Sequence, residues 1–259
     1  MRPFDLTGKV AVVTGGNGGI GLGIAAGLAD AGCAVHIWGR SAEKNERALQ
    51  VLRAKGARAE AAVCDVTDPA AVEAAFSGAL AAFGRVDGAF ANAGIYGGPA
   101  RSFLERSLEE WRRVLATNLE GAFLTLQAAA RHMVERAKGG DPGGRLVVTS
   151  SLASLYGTAR NEHYAAGKAA LNALARALAV EFARFGITSN AILPGWIATE
   201  MTEGLLANER FVEAVKPRIP LRRFGEPHDF AGIALYLMSD SSAYHTGDLF
   251  VIDGGYTLF

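Results

Sequence analysis

The chain is 259 residues long and half apolar, with 26 basic residues against 26 acidic ones and a formal net charge of zero. A chain of this length buries most of the surface its unfolded form exposes, so stability requires neither disulfides nor a structural metal. The charge balance argues against a nucleic-acid partner and an acidic interaction tail, and no run of 18 or more apolar residues suggests a membrane span.

In chain order, residues 9–13 are short, β-branched and apolar, which predicts a buried strand. Helical spacing follows over 20–31, then a second strand at 34–38 and a polar helix over 42–55. A third strand covers 58–64, and Asp68-Pro69 opens the next helix as N-cap and first helical residue. Residues 86–91 form the fourth strand and 107–136 one long helix. The loop 138–144 (KGGDPGG) leads to a fifth strand at 145–149, a long helix at 162–185, a sixth strand at 188–193, a helix at 226–238 and a seventh strand at 249–252. Strict β/α alternation implies an α/β fold: a doubly wound, parallel, seven-stranded Rossmann sheet with helices on both faces. With no repeat and no Pro/Ser-rich linker, residues 1–259 are expected to form a single domain. Cys33 and Cys64 stand in apolar surroundings and are expected to be core residues, not a disulfide or metal pair. The first residues lack an apolar core of signal-peptide length, which fits a cytoplasmic, reducing compartment.

The first strand runs directly into Thr14-Gly15-Gly16-Asn17-Gly18-Gly19-Ile20-Gly21, and a helix follows at once. Glycines there permit positive φ and close approach of the backbone to a pyrophosphate, which would lie against the free N–H groups of the helix start. At the end of the second strand, an acidic residue would bind the 2′-OH of NAD, whereas Arg suits the 2′-phosphate of NADP. Here Gly39 holds the acidic position, followed by Arg40, whose planar fork grips phosphate, and by the hydroxyl of Ser41. NADP is therefore favoured over NAD.

The strongest local signal is Tyr164-Ala-Ala-Gly-Lys168. Tyr and Lys four apart share one helix face, and a nearby ammonium lowers a phenol pKa toward the range where general acid–base catalysis works. Alone, this spacing is common on solvated helices. Its alanine-rich flanks (Ala165, Ala166, Ala169, Ala170) and the serines at the end of the fifth strand, Ser150 and Ser151, change its weight. Ligands in such sheets bind at the carboxyl ends of the strands. Asn118 lies inside the long fourth helix, where Asn is a poor residue.

These motifs together resemble the short-chain dehydrogenase/reductase family over essentially the whole chain. The TGxxxGxG spacing is carried by Thr14, Gly15, Gly19 and Gly21, the catalytic order by Asn118, Ser151, Tyr164 and Lys168. The resemblance selects Ser151 over Ser150. It implies that Asp65 contacts adenine with Val66 beside it, and that Ile20 and the turn Asn92-Ala93-Gly94 line the cofactor. Pro194-Gly195 would lie beside the nicotinamide, and Ile197 and Thr199 would contact its carboxamide. Asp253-Gly254-Gly255 matches the family's last strand end. In the family the residue matching Asn118 interrupts its helix and holds a water that links Lys to solvent. The one departure is the lack of a basic residue in the glycine loop, which carries Asn17.

The implied activity is NAD(P)-dependent interconversion of a secondary alcohol and a ketone. Lys168 would hold the ribose and depress the Tyr164 pKa, Ser151 would polarise the substrate oxygen, and Tyr164 would give or take the proton. No metal is required. The rival is a cofactor-binding sensor or scaffold that kept the fold without the chemistry. A nucleotide-sugar dehydratase or epimerase would need a longer C-terminal substrate domain. The substrate pocket is expected from 95–103, 152–161 and a small lid at about 196–218, with Trp196, Phe211, Tyr156 and Leu205 as an apolar wall and Asn161 and Glu200 placed for hydroxyls. A 3-oxoacyl thioester, a sugar or polyol, and a simple alcohol all remain open. The two long helices are apolar over more than one face, and with the family's habit this suggests a homotetramer.

Overall fold

Five of the seven strands are buried along their whole length, as central strands covered on both faces must be. They are β1 (Val10–Thr14), β2 (Ala34–Gly39), β4 (Gly88–Ala91), β5 (Gly144–Thr149) and β6 (Ile187–Pro194). The partly exposed strands β3 (Ala59–Val63) and β7 (Leu249–Ile252) close the two edges. All neighbours pair in parallel, in the order β3-β2-β1-β4-β5-β6-β7. The order reverses between β1 and β4, so their carboxyl ends diverge and leave a crevice there. This computed structural model describes residues 4–97 and 102–258.

Alternation along the strands feeds two cores. Val10 and Val12 point to one side with Trp38 and Phe76, while Ala11 and Val13 point to the other with Ile37 and Phe90. On the second side, α1 (Gly19–Asp30) packs against α2 (Ala42–Ala54) and α9 (Ala231–Met238). On the first side lie α3 (Pro69–Phe83), α4 (Leu108–Leu115), α5 (Gly121–Lys138) and α6 (Glu162–Phe182). Asp68 caps α3 by accepting from Ala70 N–H at 2.9 Å, with Pro69 at its first turn. Two short helices, α7 (Glu203–Leu206) and α8 (Glu209–Val215), follow β6.

The structure corrects one predicted element. The span expected as a single helix over 107–136 is two helices joined by a π-helical turn, Ala116–Glu120, and the buried Asn118 sits in that turn. Its side chain bonds the backbone of Ile95. Cys33 and Cys64 are both buried and unpaired, and burial pushes their thiols up to about 12 and about 11. They behave as small core residues. Among the described residues no helix is long and apolar enough to cross a membrane, and no cluster of His, Cys, Asp and Glu could hold a metal.

Candidate active site

A cleft of about 420 Å³ opens at the carboxyl ends of β1, β2, β4, β5 and β6. One end is the glycine turn. Gly15 and Gly19 hold φ of +63° and +48°, a left-handed backbone that favours glycine. A Cβ on Gly21 would lie 2.2 Å from the Gly15 carbonyl, so the helix can start this tightly only without a side chain. Gly15, Asn17, Gly18, Gly19 and Ile20 line the cleft, as do Arg40, Asp65, Val66, Asn92, Ala93, Gly94, Pro194, Gly195, Ile197 and Thr199. The cradle fits a dinucleotide: Gly18, Gly19 and Gly21 keep the start of α1 open to close approach, and a Cβ on Gly19 would close on Thr199 at 3.2 Å.

Three residues assigned to the cofactor lie outside the cleft wall, each with a different job. Thr14 is buried, and its Oγ1 accepts from the N–H groups of Asn92 at 3.0 Å and Ala93 at 2.9 Å. Asn92 Nδ2 donates to the Thr14 carbonyl in return. This clamp fixes the end of β4 beside β1 and so sets the crevice. Gly21 serves the tight packing just described. Ser41 caps α2, accepting from Lys44 N–H at 3.3 Å. Asp65 accepts from the N–H and hydroxyl of Thr67, which with nearby Arg40 holds its carboxyl below the usual range.

The other end holds the catalytic candidates. Ser150 and Ser151 follow β5, and the structure separates them. Ser150 is buried and its hydroxyl donates to the Lys168 carbonyl at 2.8 Å, anchoring α6. Ser151 Oγ accepts from Ala153 N–H at 3.1 Å and lies beside the Tyr164 phenol. Tyr164 and Lys168 share one face of α6, with the ammonium 5.7 Å from the phenol ring centroid. Lys168 Nζ donates to the Thr149 carbonyl at 2.6 Å. Asn118 Oδ1 accepts from Ile95 N–H at 2.7 Å and its Nδ2 donates to the Ile95 carbonyl at 2.9 Å. It reaches no open space. It ties the Asn92-Ala93-Gly94 strand end to the π-helical turn, next to Lys168 across Gly94.

The expected depression of the Tyr164 pKa by Lys168 is not found. Burial pushes the phenol up to about 12, with Ser151 opposing the rise and Tyr96 adding to it. The same burial brings Lys168 down to about 8. Low-dielectric surroundings disfavour both charged forms, and here they outweigh the attraction between them. At neutral pH the site therefore holds a protonated phenol and an ammonium.

The substrate end is lined by Tyr96, Leu152, Tyr156, Thr158, Asn161, Trp196, Met201 and Thr202. Of the expected wall, Tyr156 and Trp196 line it, while Phe211 packs edge-on behind Trp196 at 4.9 Å and Leu205 lies outside. Glu200, expected to bind a hydroxyl, pairs instead with Lys44 at 2.5 Å toward the Arg40 end of the cleft. Phe103 is exposed, and residues 98–101 of the expected 95–103 wall lie outside the described residues. Tyr96, within the expected 95–103 wall but not singled out, stands with its ring 5.4 Å from that of Tyr164, and sequence reasoning missed Lys44. Their signals were an aromatic directly after Asn-Ala-Gly-Ile and a Lys one helical turn past Arg40. At the far edge, Asp253 accepts from Gly255 and Thr257, and the Pro194-Gly195 turn packs so closely on it that a Cβ on Gly195 would lie 2.7 Å from Asp253 Cα.

A family profile described as enoyl-(acyl carrier protein) reductase matches residues 15–257. A short-chain type dehydrogenase/reductase from Mycobacterium marinum superposes with a TM-score of 0.91 at 38% identity, covering 98% of each chain. The chain belongs to the short-chain dehydrogenase/reductase family. It is an NAD(P)-dependent oxidoreductase of alcohol and carbonyl groups. L-rhamnose 1-dehydrogenase (NAD(P)(+)) of Sphingomonas sp. (strain SKA58) is 37% identical over 96% of both chains. The gluconate 5-dehydrogenase of Burkholderia cenocepacia J2315, solved with NADP and tartrate, has a TM-score of 0.92 at 33% identity, covering 99% of this chain and 98% of that one. The expectation of this family and of a parallel seven-stranded sheet is borne out.

Proposed function

We propose that this short-chain dehydrogenase/reductase interconverts a secondary hydroxyl and a ketone on a polyhydroxylated substrate, a sugar or sugar acid, and that it prefers NADP(H) to NAD(H). The observation that carries the substrate class is the polar lining of the substrate end, where Thr158 Oγ1 and Trp196 Nε1 are buried with no hydrogen-bond partner and the Asn161 amide serves the Tyr96 hydroxyl. Buried polar groups are nearly always paired, and each one left alone costs about 1–3 kcal/mol. Hydroxyls along a sugar chain offer partners to the Trp196 N–H and the Thr158 hydroxyl and join the Tyr96–Asn161 pair. An acyl chain or a plain ketone body satisfies none. The rhamnose and gluconate dehydrogenases among the relatives carry names of this substrate class.

When bound, the dinucleotide supplies a hydride donor or acceptor at its nicotinamide ring. The protein's own residues do the rest. In reduction Ser151 donates a hydrogen bond to the substrate oxygen and Tyr164 gives it a proton. The phenol is available because burial keeps it protonated. The Lys168 ammonium stabilises the phenolate left behind and holds the ribose hydroxyls. Oxidation returns the proton to Tyr164. Asn118 acts through the backbone of Ile95 as a positioning residue. Arg40 and Lys44 give the adenosine end its positive charge for a 2′-phosphate, and both line the cleft. Residues 196–218, with α7 and α8, serve as the substrate lid.

The apolar groove between α5 and α6, lined by Phe123, Leu126, Leu174 and Leu178, supports self-association into a homotetramer. The decisive experiment follows NADP(H) absorbance with D-gluconate, L-rhamnose, polyols and their keto forms against a 3-oxoacyl thioester and simple ketones. Turnover is expected with a sugar or sugar acid, and Asn161→Leu is expected to raise KM for it far more than it lowers kcat. Turnover confined to the thioester or to simple ketones, with KM unmoved by Asn161→Leu, contradicts the substrate class.

A further inference from the structure

Position 39 ends β2, where an acidic side chain would meet the 2′-OH of a ribose. The structure shows why it is glycine here. A Cβ at Gly39 would lie 2.0 Å from Asn17 Nδ2, 2.5 Å from Asn17 Cγ and 2.6 Å from Asn45 Oδ1, closer than real contacts allow. A side chain alone in solvent would swing aside, but the Asn17 amide is held. Its Nδ2 donates to Asn45 Oδ1 at 2.7 Å. Asn45 is itself buried, and its Nδ2 donates to the carbonyls of Gly39 at 3.1 Å and Ala62 at 3.0 Å. Its backbone N–H bonds the Ser41 carbonyl in the first turn of α2. Two side-chain amides thus bolt together the glycine turn, the ends of β2 and β3, and α2.

We propose that Asn17, locked by Asn45, is a determinant of cofactor choice that works by occupying the space an acidic side chain at position 39 needs. The inference rests on the reading that the cleft holds NADP(H), and it goes further by naming what keeps the NAD-type carboxylate out. The lock is neutral, so it puts no negative charge beside a 2′-phosphate. The charged groups at this end are Arg40, which is exposed, Lys44, paired with Glu200, and the Asp65 carboxylate beside Arg40. Specificity here is as much exclusion of the wrong group as attraction of the right one. It follows that Gly39 and Asn17 are coupled, and that neither can be exchanged alone to convert the preference.

The test is a double-mutant cycle of Gly39→Asp and Asn17→Ala, read by Kd for NADPH and NADH from nucleotide fluorescence and by melting temperature without nucleotide. Gly39→Asp alone is expected to weaken NADPH by more than about tenfold, to gain little NADH affinity and to melt lower, because the new side chain must displace the locked amide. Adding Asn17→Ala is expected to restore melting and to raise NADH affinity by more than about tenfold over Gly39→Asp alone. If Gly39→Asp alone binds NADH as well as the double variant, or if the folded double variant gains no NADH affinity, the proposal is wrong. Should Gly39→Asp fail to fold, Gly39→Ala with and without Asn17→Ala poses the same question through melting temperature. Recovery on adding Asn17→Ala supports the lock, and additive losses overturn it. Wild-type protein that binds neither dinucleotide would instead refute the cofactor reading.

Discussion

Replacing Lys168 by Met should stabilise the cofactor-free protein at neutral pH while destroying its activity. Lys168 is buried, and burial alone brings its pKa from 10.5 to about 8. Because the folded value is the lower one, the unfolded chain binds more protons between about 8 and 10.5, and stability rises with pH across that window. Below it the buried ammonium costs the fold about 3 kcal/mol, taking about 1.4 kcal/mol per pH unit. Met fills much the same volume without charge. Loss of the hydrogen bond to the Thr149 carbonyl returns about 1.5–3 kcal/mol, since that bond carries a charged donor. The net gain at pH 7 is about 0.5–2 kcal/mol, or about 1–8 °C in melting temperature for a domain of this size. Thermal melts of both proteins at pH 7 and pH 10, without nucleotide, measure it. The advantage of Lys168→Met should be present at pH 7 and largely gone at pH 10. A variant less stable than wild type at pH 7, or a difference that does not move with pH, would refute the burial argument.

Two other outcomes follow from the same geometry. In the reduction direction kcat/KM should be flat at neutral pH and fall about tenfold per pH unit above about 8, as the Lys168 ammonium is lost while Tyr164 stays protonated to about 12; a pH–rate profile with Lys168→Arg, whose limb should move to higher pH, checks the assignment. Thr14→Val keeps the shape of the side chain but leaves the N–H groups of Asn92 and Ala93 without their shared acceptor, so denaturant unfolding should show a loss of about 2–4 kcal/mol.

The parts of the fold and site legible in the sequence are those whose partners are near in the chain. The glycine turn announces itself because strand, glycines and helix are contiguous, and the Tyr164–Lys168 pair because helical geometry fixes residues four apart. Asn118 gave a partial signal. As a poor helix residue it marked the site of the break, but its partner, the backbone of Ile95, is set by the fold. What stayed hidden depends on residues distant in sequence meeting in space. Glu200 reads as a ligand for a hydroxyl until the fold brings Lys44 to it. Thr14, Gly21 and Ser41 belong to cofactor motifs, and the fold also gives them structural contacts: Thr14 clamps the end of β4, Gly21 packs on Gly15 and Ser41 caps α2. The Tyr164 pKa was misjudged because spacing shows the ammonium and does not show the burial that opposes it.

The central claim is that the half-buried Tyr164 phenol delivers the proton, and Tyr164→Phe tests it most directly, since it removes one oxygen and leaves the packing. Single-turnover measurement with NADPH and the best keto substrate should show the chemical step slowed by about 10²–10⁴-fold with NADPH affinity within a few-fold of wild type. A near-normal rate of that step in the Phe variant would show that the proton comes from another group.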